Sequence, residues 1–367
     1  MMNRIALLGT GLVGGSLGLV LRDRRPDLTV IGYDRPEVLE RAEERGALTD
    51  KAAHPAAAVE SADLVVLATP AGASLPLLDT IADALTASTI VTDVASVKQP
   101  ILDQAAEVLP DDVPFVGGHP MAGAEHAGID HADPLLFENA AWVLCLPDAL
   151  PEAALEHDLK PVVDMIETAG GRPLLLDAAS HDRIAGLVSH LPQLVAVALV
   201  NTVADTPDPD TALQLAAGGF RDMTRIAASP FSMWRDVLVG NESAIHDALS
   251  QFTRRLQTLR NRLLADDLDA LDDAFTTAKD ARESIPREAK GFLHPLADVY
   301  VQVPDAPGML HTLTGCLADA GLNIKDIELQ KFRGGAGGTF RIGFETSADA
   351  EEAVAVLNEQ DYTARRP

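Results

Sequence analysis

Apolar residues follow two rhythms along this chain, and the rhythm changes twice. From Asn3 to about Leu146, short continuous apolar runs (RIALLG, LTVIGYD, ADLVVLAT, STIVTDV, VPFVGG, AAWVLCL) alternate with alanine-rich or amphipathic stretches of helical length. This alternation predicts a parallel sheet with helices on both faces. A helix over 151–169 and a strand over Arg172–Asp177 extend it, so the α/β domain is expected over 1–177. From Ala178 the period becomes helical, and an all-α domain is expected over 178–283. DRIAGLVSHLPQLVAVALVNTVA is apolar nearly all round, which predicts buried helices. VGNESAIHDALSQFTRRLQTLRNRLL is amphipathic with a charged outer face. A helical domain this apolar is expected to pack against a second copy, as a homodimer, or only against its own α/β domain.

Residues 284–296 read as a Pro-, Gly- and charge-rich linker. Beyond it the order is strand (DVYVQVP), turn (DAPG), helix (MLHTLTGCLADAG), strand (LNIKDIELQKF), glycine-rich hairpin turn (GGAGG), strand (TFRIGFET) and helix (DAEEAVAVLNEQ). That is a small ferredoxin-like α+β module over 297–367.

Composition narrows the partners. With 367 residues and 47% hydrophobic content, the chain has material for two or three cores. Acidic residues outnumber basic ones 55 to 29, a net charge of −26, which argues against nucleic acid and anionic membranes as partners. Cys145 and Cys316 can build no disulfide framework and lack metal-ligand spacing, so no metal is expected and the compartment reads as reducing and cytoplasmic.

The uncharged run Ile5 to Leu21 superficially resembles a signal peptide, but it carries glycines at 9, 11, 14, 15 and 18, and Pro26 leads into another strand. It reads as structure instead. No other run is expected to be long and apolar enough to cross a bilayer. Within it GTGLVG (Gly9, Gly11, Gly14) follows a strand and opens a helix, and Asp34 ends the next strand. Gly9 permits the tight turn, Gly11 lets a pyrophosphate approach, and Gly14 lets helix and strand pack closely; the helix N-terminus supplies free N–H groups. This is a Rossmann dinucleotide site, expected to comprise Gly9, Thr10, Gly11, Leu12, Val13, Gly14, Asp34, Arg35 and Thr69. Asp34 favours NAD over NADP through the ribose hydroxyls, whereas Arg35 can attract a 2′-phosphate.

FVGGHPMAGAE places His119 just beyond a strand, at the carboxyl edge where open α/β sheets bind ligands. Gly117 and Gly118 are expected to leave room for a flat ring. Pro120 bars His119 from helical backbone; if it also begins a short helix, the dipole would favour the neutral imidazole of a general base. A structural histidine capping a turn fits equally well. GGFRDMTRIAASPFSMW gathers Arg221, Asp222, Arg225 and Arg235. Arg221 and Arg225 share one helical face by spacing, which suggests an anionic ligand, since arginine grips a carboxylate with two hydrogen bonds; an ion-pair network with Asp222 and Asp236 is the alternative.

Taken together, GTGLVGGSLG, DVASVK, GGHPMAGAE, SHLPQ and GGFRDMTRIAASPFSMW resemble the prephenate/arogenate dehydrogenases of tyrosine biosynthesis. VQVPDAPGMLHTLTGCLADAGLNI resembles an ACT regulatory domain. The resemblance spans essentially the whole chain and implies NAD-dependent oxidative decarboxylation of prephenate, with arogenate, which carries an amino group in place of the side-chain keto group, as the alternative substrate. It implies His119 as the base that takes the 4-hydroxyl proton, Ser96 as the residue orienting it, and Arg225 as the carboxylate anchor. Glu125, His190 and Arg221 become pocket members, and Trp234 a wall. Asp305, Pro307, Gly308 and Asn323 become an amino-acid site through which tyrosine inhibits; a module that only aids dimerisation is the alternative. Gln193 departs from the histidine expected in many relatives.

Two rivals stand beside this reading. Other β-hydroxyacid or imine dehydrogenases typically need a lysine in the helical domain, which here has only Lys279. A non-catalytic NAD- and amino-acid-responsive regulator would have no need for His119 with Arg225. Only seven of the 29 basic residues are lysines; an acid-rich, lysine-poor surface suits a high-salt cytoplasm, or belongs to an ordinary acidic enzyme. On the first reading Tm rises with molar KCl in a thermal melt; a flat or falling Tm supports the second.

Overall fold

The computed structural model describes residues 2–123, 126–146, 152–284, 296–304, 306–333 and 337–366, with backbone alone for 152–158, 330–333 and 337. The chain divides into two compact units, Met1–Ser284 and Ile285–Pro367.

In the first unit eight strands form one sheet: β1 (Arg4–Leu8), β2 (Thr29–Tyr33), β3 (Asp50–Lys51), β4 (Leu64–Leu67), β5 (Ile90–Asp93), β6 (Phe115–Pro120), β7 (Ala141–Cys145) and β8 (Arg172–Leu176). Their order is β3-β2-β1-β4-β5-β6-β7-β8. Strands β1, β4 and β5 are buried along nearly their whole length, because helices cover both faces. Two apolar clusters fill those layers, one around Ile5, Leu7, Val66 and Leu144, the other around Ala6, Leu8, Val65 and Ile101. The early glycine-containing run forms β1 and most of the helix Leu12–Arg24 that follows it.

The expected all-parallel sheet is corrected at one pairing. β7 runs antiparallel to β6, with Gly118 opposite Leu144 and His119 opposite Val143, while β7 and β8 are parallel. A parallel neighbour requires the chain to cross back over a face of the sheet. The β6–β7 connection instead carries only a single 3₁₀ turn, Ile129–His131, among its described residues, so the chain re-enters from the edge it left.

Helices Ala178–Ala185, Leu191–Ala204, Pro209–Gln214, Gly218–Thr224, Phe231–Gly240, Glu242–Leu264 and Leu268–Glu283 follow. A π-turn, Gly186–His190, joins the first two into a continuous 27-residue segment. It lies directly before Pro192, whose ring cannot fit the carbonyl four residues back. An 18-residue stretch of that segment has a mean hydropathy of 1.6, and the segment is by length and composition able to cross a membrane, so the expectation that no further run qualifies is corrected. Its polar residues His181, Asp182 and His190 are buried against the rest of the unit.

On a single chain the helices are only partly covered. Val188 is 61% exposed, and Leu215, Phe231, Val239, Leu263, Leu264 and Phe275 are also open to solvent. Long helices with few neighbours on their own chain leave one apolar side uncovered.

The second unit has β9 (Ala297–Val303), β10 (Asp326–Arg333), β11 (Gly337–Phe344) and β12 (Thr363–Arg365), all antiparallel in the order β10-β11-β9-β12. Helices Met309–Asp319 and Ser347–Glu359 cover it. The added strand β12 completes a βαββαβ order where a final helix was expected. Val299, Val301, Leu313, Leu317, Ile342, Phe344 and Leu357 form its core. Arg341 pairs with Asp298, Asp326 and Glu328 across the sheet. Gly308 sits at φ +83° before the first helix, a conformation that favours glycine. Asn323 precedes β10 by a loop rather than starting the strand. The linker expected over 284–296, the GGAGG turn and Asp305 fall largely or wholly outside the described residues.

Candidate active site

The carboxyl edge of the sheet carries two adjoining sites. At the first, Gly9 turns at φ +100° after β1, and a Cβ there would lie 2.6 Å from the Ala68 carbonyl. A Cβ on Gly14 would lie 2.0 Å from Gly9 O, so the helix can approach the strand only without a side chain. Gly11 has nothing within 4 Å of a built Cβ; its backbone faces open space. The helix Leu12–Arg24 has no side-chain cap at its N-terminus, which leaves its first N–H groups for an anion. These features fit a dinucleotide pyrophosphate. Asp34 Oδ2 accepts from Thr10 N at 2.7 Å and its Oδ1 from Arg35 N at 2.8 Å, so the acid expected to bind the ribose braces the turn. Arg35 is exposed and pairs with Glu37 at 3.5 Å. Thr69 Oγ1 bonds Ser74 Oγ at 2.9 Å just after β4.

The second site centres on His119. It lies within β6, one residue before its end, not beyond it, and Pro120 closes the strand instead of opening a helix. The helix-dipole argument for a neutral imidazole therefore falls. Burial supplies the same result: loss of solvation, with Lys98, His181 and His190 nearby, holds the His119 pKa well below its ordinary value. Nor do the two glycines shelter a ligand ring. A Cβ on Gly118 would lie 2.3 Å from Asp93 O, and one on Gly117 3.2 Å from Cys145 O, so protein atoms fill that space.

A fully buried ion pair lies beneath. Lys98 Nζ pairs with Asp93 Oδ2 and donates to Gly118 O at 2.6 Å, while Gly118 N donates to Asp93 Oδ1 at 2.9 Å. Gly118, the residue preceding His119, is thus gripped at both its backbone N–H and its carbonyl. His119 Nδ1 lies 2.7 Å from His181 Nε2, and His181 Nδ1 lies 2.8 Å from Asp182 Oδ1. Asp182 also accepts from the Lys98 and Gln99 amides at 2.8 and 2.9 Å, at the start of the helix Gln99–Val108. Burial opposes its charge, yet the bonds from His181 and these amides outweigh burial and keep its carboxyl below the usual range.

Around His119 opens a cavity of about 440 Å³, lined by Ser96, Met121, Ser189, His190, Gln193, Arg225 and Trp234, among others. Asn241 Nδ2 donates to Asp182 O at 2.7 Å and lies 3.2 Å from His190 Nδ1, which leaves the other nitrogen, Nε2, as the proton-bearing donor. Burial pushes His190 down to about 4, so the ring is neutral. Among the described residues His190 Nε2 and Gln193 Oε1 are buried without a hydrogen-bond partner; Gln193 Nε2 donates to Ile226 O at 3.1 Å.

Sequence-predicted residues separate here. Ser96, His119, His190, Arg225 and Trp234 meet at one cavity. Arg221 is exposed and is not in its lining, because its helix ends at Thr224 and Arg225 opens a 3₁₀ turn, Arg225–Ala228; the shared helical face is lost. Asp236 bonds Gly72 N at 3.0 Å and Arg235 at 3.2 Å. Among the described residues Ser96 makes no hydrogen bond to His119, and ring orientation falls to His181 instead. Glu125 lies outside the described residues. Sequence reasoning missed Asp93, Lys98, His181, Asp182 and Asn241. The acid and base bracketing DVASVK, and the adjacent pair His181–Asp182 on an apolar helix, were the available signals.

Residues 17–174 match the prephenate dehydrogenase nucleotide-binding domain and 177–277 the prephenate dehydrogenase dimerization domain. The chain is 34% identical to a prephenate dehydrogenase of Bacillus subtilis over 96% of its own length and 95% of that protein's. Among solved structures, the Aquifex aeolicus prephenate dehydrogenase in complex with hydroxyphenyl propionate and NAD+ aligns at a TM-score of 0.71 and 30% identity, over 78% of this chain and 99% of that one. A Synechocystis arogenate dehydrogenase aligns at 0.67 and 29% identity, over 77% and 100%. The chain therefore belongs to the prephenate dehydrogenase family and is an NAD-dependent oxidoreductase.

Proposed function

We propose that this enzyme converts prephenate to 4-hydroxyphenylpyruvate and CO2. The reading is carried by one observation: a buried, neutral imidazole and an arginine line the same cavity beside the nucleotide-binding edge. NAD+, held by Gly9, Thr10, Gly11, Leu12, Val13, Gly14, Asp34, Arg35 and Thr69, supplies the hydride acceptor. His119 takes the 4-hydroxyl proton as C4 loses hydride, and C4–O becomes a carbonyl. Loss of the ring carboxylate as CO2 then leaves its electron pair to aromatise the ring, the carbonyl oxygen becoming a phenolate that takes back a proton, so the protein's task is alignment. Arg225 holds a substrate carboxylate, His190 donates through Nε2, Ser96 lines the reacting end, and Trp234 forms a wall. Arg221 and Glu125 remain proposed members of the wider site.

The apolar helix faces left open on one chain support a homodimer, with a second copy covering them. The terminal unit has the βαββαβ order of a ferredoxin-like module, which supports the ACT reading with tyrosine as inhibitor at Asp305, Pro307, Gly308 and Asn323.

NADH absorbance in the presence of each substrate tests the reading, with kcat/KM higher for prephenate than for arogenate. His119→Asn is expected to lower kcat by roughly 10²–10⁴ with KM little changed, the loss typical of a missing base. Arg225→Ala is expected to raise KM for prephenate strongly; an unchanged KM would mean that the anchor lies elsewhere. Calorimetry is expected to detect tyrosine binding to the full chain, and no heat at millimolar tyrosine removes the regulatory reading.

A further inference from the structure

The hydrogen bonds behind His119 form a chain whose polarity can be worked out from its far end. Asp182 is ionised and can only accept. The 2.8 Å contact to His181 Nδ1 therefore carries a proton on that nitrogen. A neutral His181 then has a bare Nε2, which can only accept. The 2.7 Å contact to His119 Nδ1 must accordingly carry its proton on His119. With Nδ1 protonated, neutral His119 has its lone pair on Nε2, the nitrogen left for the cavity that the ring lines.

We propose that His181 and Asp182 are positioning residues that hold His119 in the one tautomer able to receive the substrate's hydroxyl proton. The proposal rests on His119 being the base of the reaction. The opposite tautomer would present an N–H to the hydroxyl and could accept nothing. When the proton arrives, the O–H bond breaks, an Nε2–H bond forms, and the imidazolium charge is shared toward Asp182 through His181. The Lys98 ammonium opposes that charge, and its partner Asp93 offsets Lys98. The arrangement resembles in logic the carboxylate that orients the histidine of a serine protease, with one ring interposed.

Burial gives the device its force. His181 is 2% and His119 7% exposed, so water has little access with which to replace either bond. Asp182 is held at three points, two of them backbone amides, which leaves little freedom to swing away.

The test compares His181→Ala, His181→Gln and Asp182→Asn in the full chain. A glutamine can accept the Nδ1–H of His119 through its side-chain oxygen; alanine cannot. His181→Ala is expected to lower kcat on the order of 10²-fold with both KM values kept within about threefold, a loss confined to the transition state. His181→Gln is expected to recover about tenfold or more of that loss. Asp182→Asn, whose amide can donate to His181 and reverse both tautomers, is expected to match or exceed the alanine loss. Because Asp182 also binds two amides and that variant can misfold, the alanine–glutamine comparison decides. Equal activity of alanine and wild type, or glutamine no better than alanine, overturns the relay. His119→Asn, run alongside, separates the two levels: if it stays active, the base assignment itself fails, whereas an inactive His119→Asn with an active His181→Ala sinks the relay alone.

Discussion

Two segments 84 residues apart are joined at one buried carboxylate, and the geometry of the whole site depends on that junction. Asp182, on the first helix beyond the sheet, accepts from the Lys98 and Gln99 amides where β5 hands over to the next helix. A carboxylate at a helix start meets free N–H groups and a favourable dipole. The same carboxylate holds His181, and through it His119 on β6. One residue thus fixes the first helix of the all-helical segment, the loop carrying Ser96 and the His119 ring in a common frame.

Beneath that junction the Asp93–Lys98 pair acts on the backbone. Both side chains are removed from solvent, and both bond the Gly118 backbone, Lys98 at its carbonyl and Asp93 at its N–H. Burying two charges is costly unless geometry and further hydrogen bonds compensate, and removing one partner of such a pair costs about 3–5 kcal/mol. Gly118 is required because its missing Cβ is what lets Asp93 come so close. The histidine is therefore held from two directions, its backbone by the ion pair and its ring by His181. Its neutrality follows from the same burial, with no need for a helix terminus.

Much of the fold was legible in the sequence, and for a local reason. Runs such as LVVL and IVTD are apolar at every position, a pattern only a doubly covered strand can bury. The turn announced itself because Gly9 and Gly14 answer steric demands within a few residues of their own positions or at the neighbouring strand, while Gly11 leaves its backbone facing open space. Ser96, His190, Arg225 and Trp234 were found with His119 through motif resemblance. The reversed strand β7, the two-residue β3 and the closing strand β12 were not legible, since strand direction and short edge pairing depend on where the chain travels between strands. The shared face of Arg221 and Arg225 was misjudged because helical spacing assumes an unbroken helix, and the chain tightens into a 3₁₀ turn between them.

By itself, the amino-acid order determined the alternation of strands and helices, the phosphate-binding turn, the acidic surface and the identity of the groups able to do chemistry. Those properties are set by period, by steric need and by side-chain type, all carried within short stretches. Only the tertiary structure decided which groups touch: that Gly117 and Gly118 admit Asp93 and Cys145 rather than a ligand, that His119 is neutral through burial, and that His181 lies against it from 62 residues away. Such contacts follow from strand register and helix docking, where a shift of a single residue would reverse the direction of every side chain.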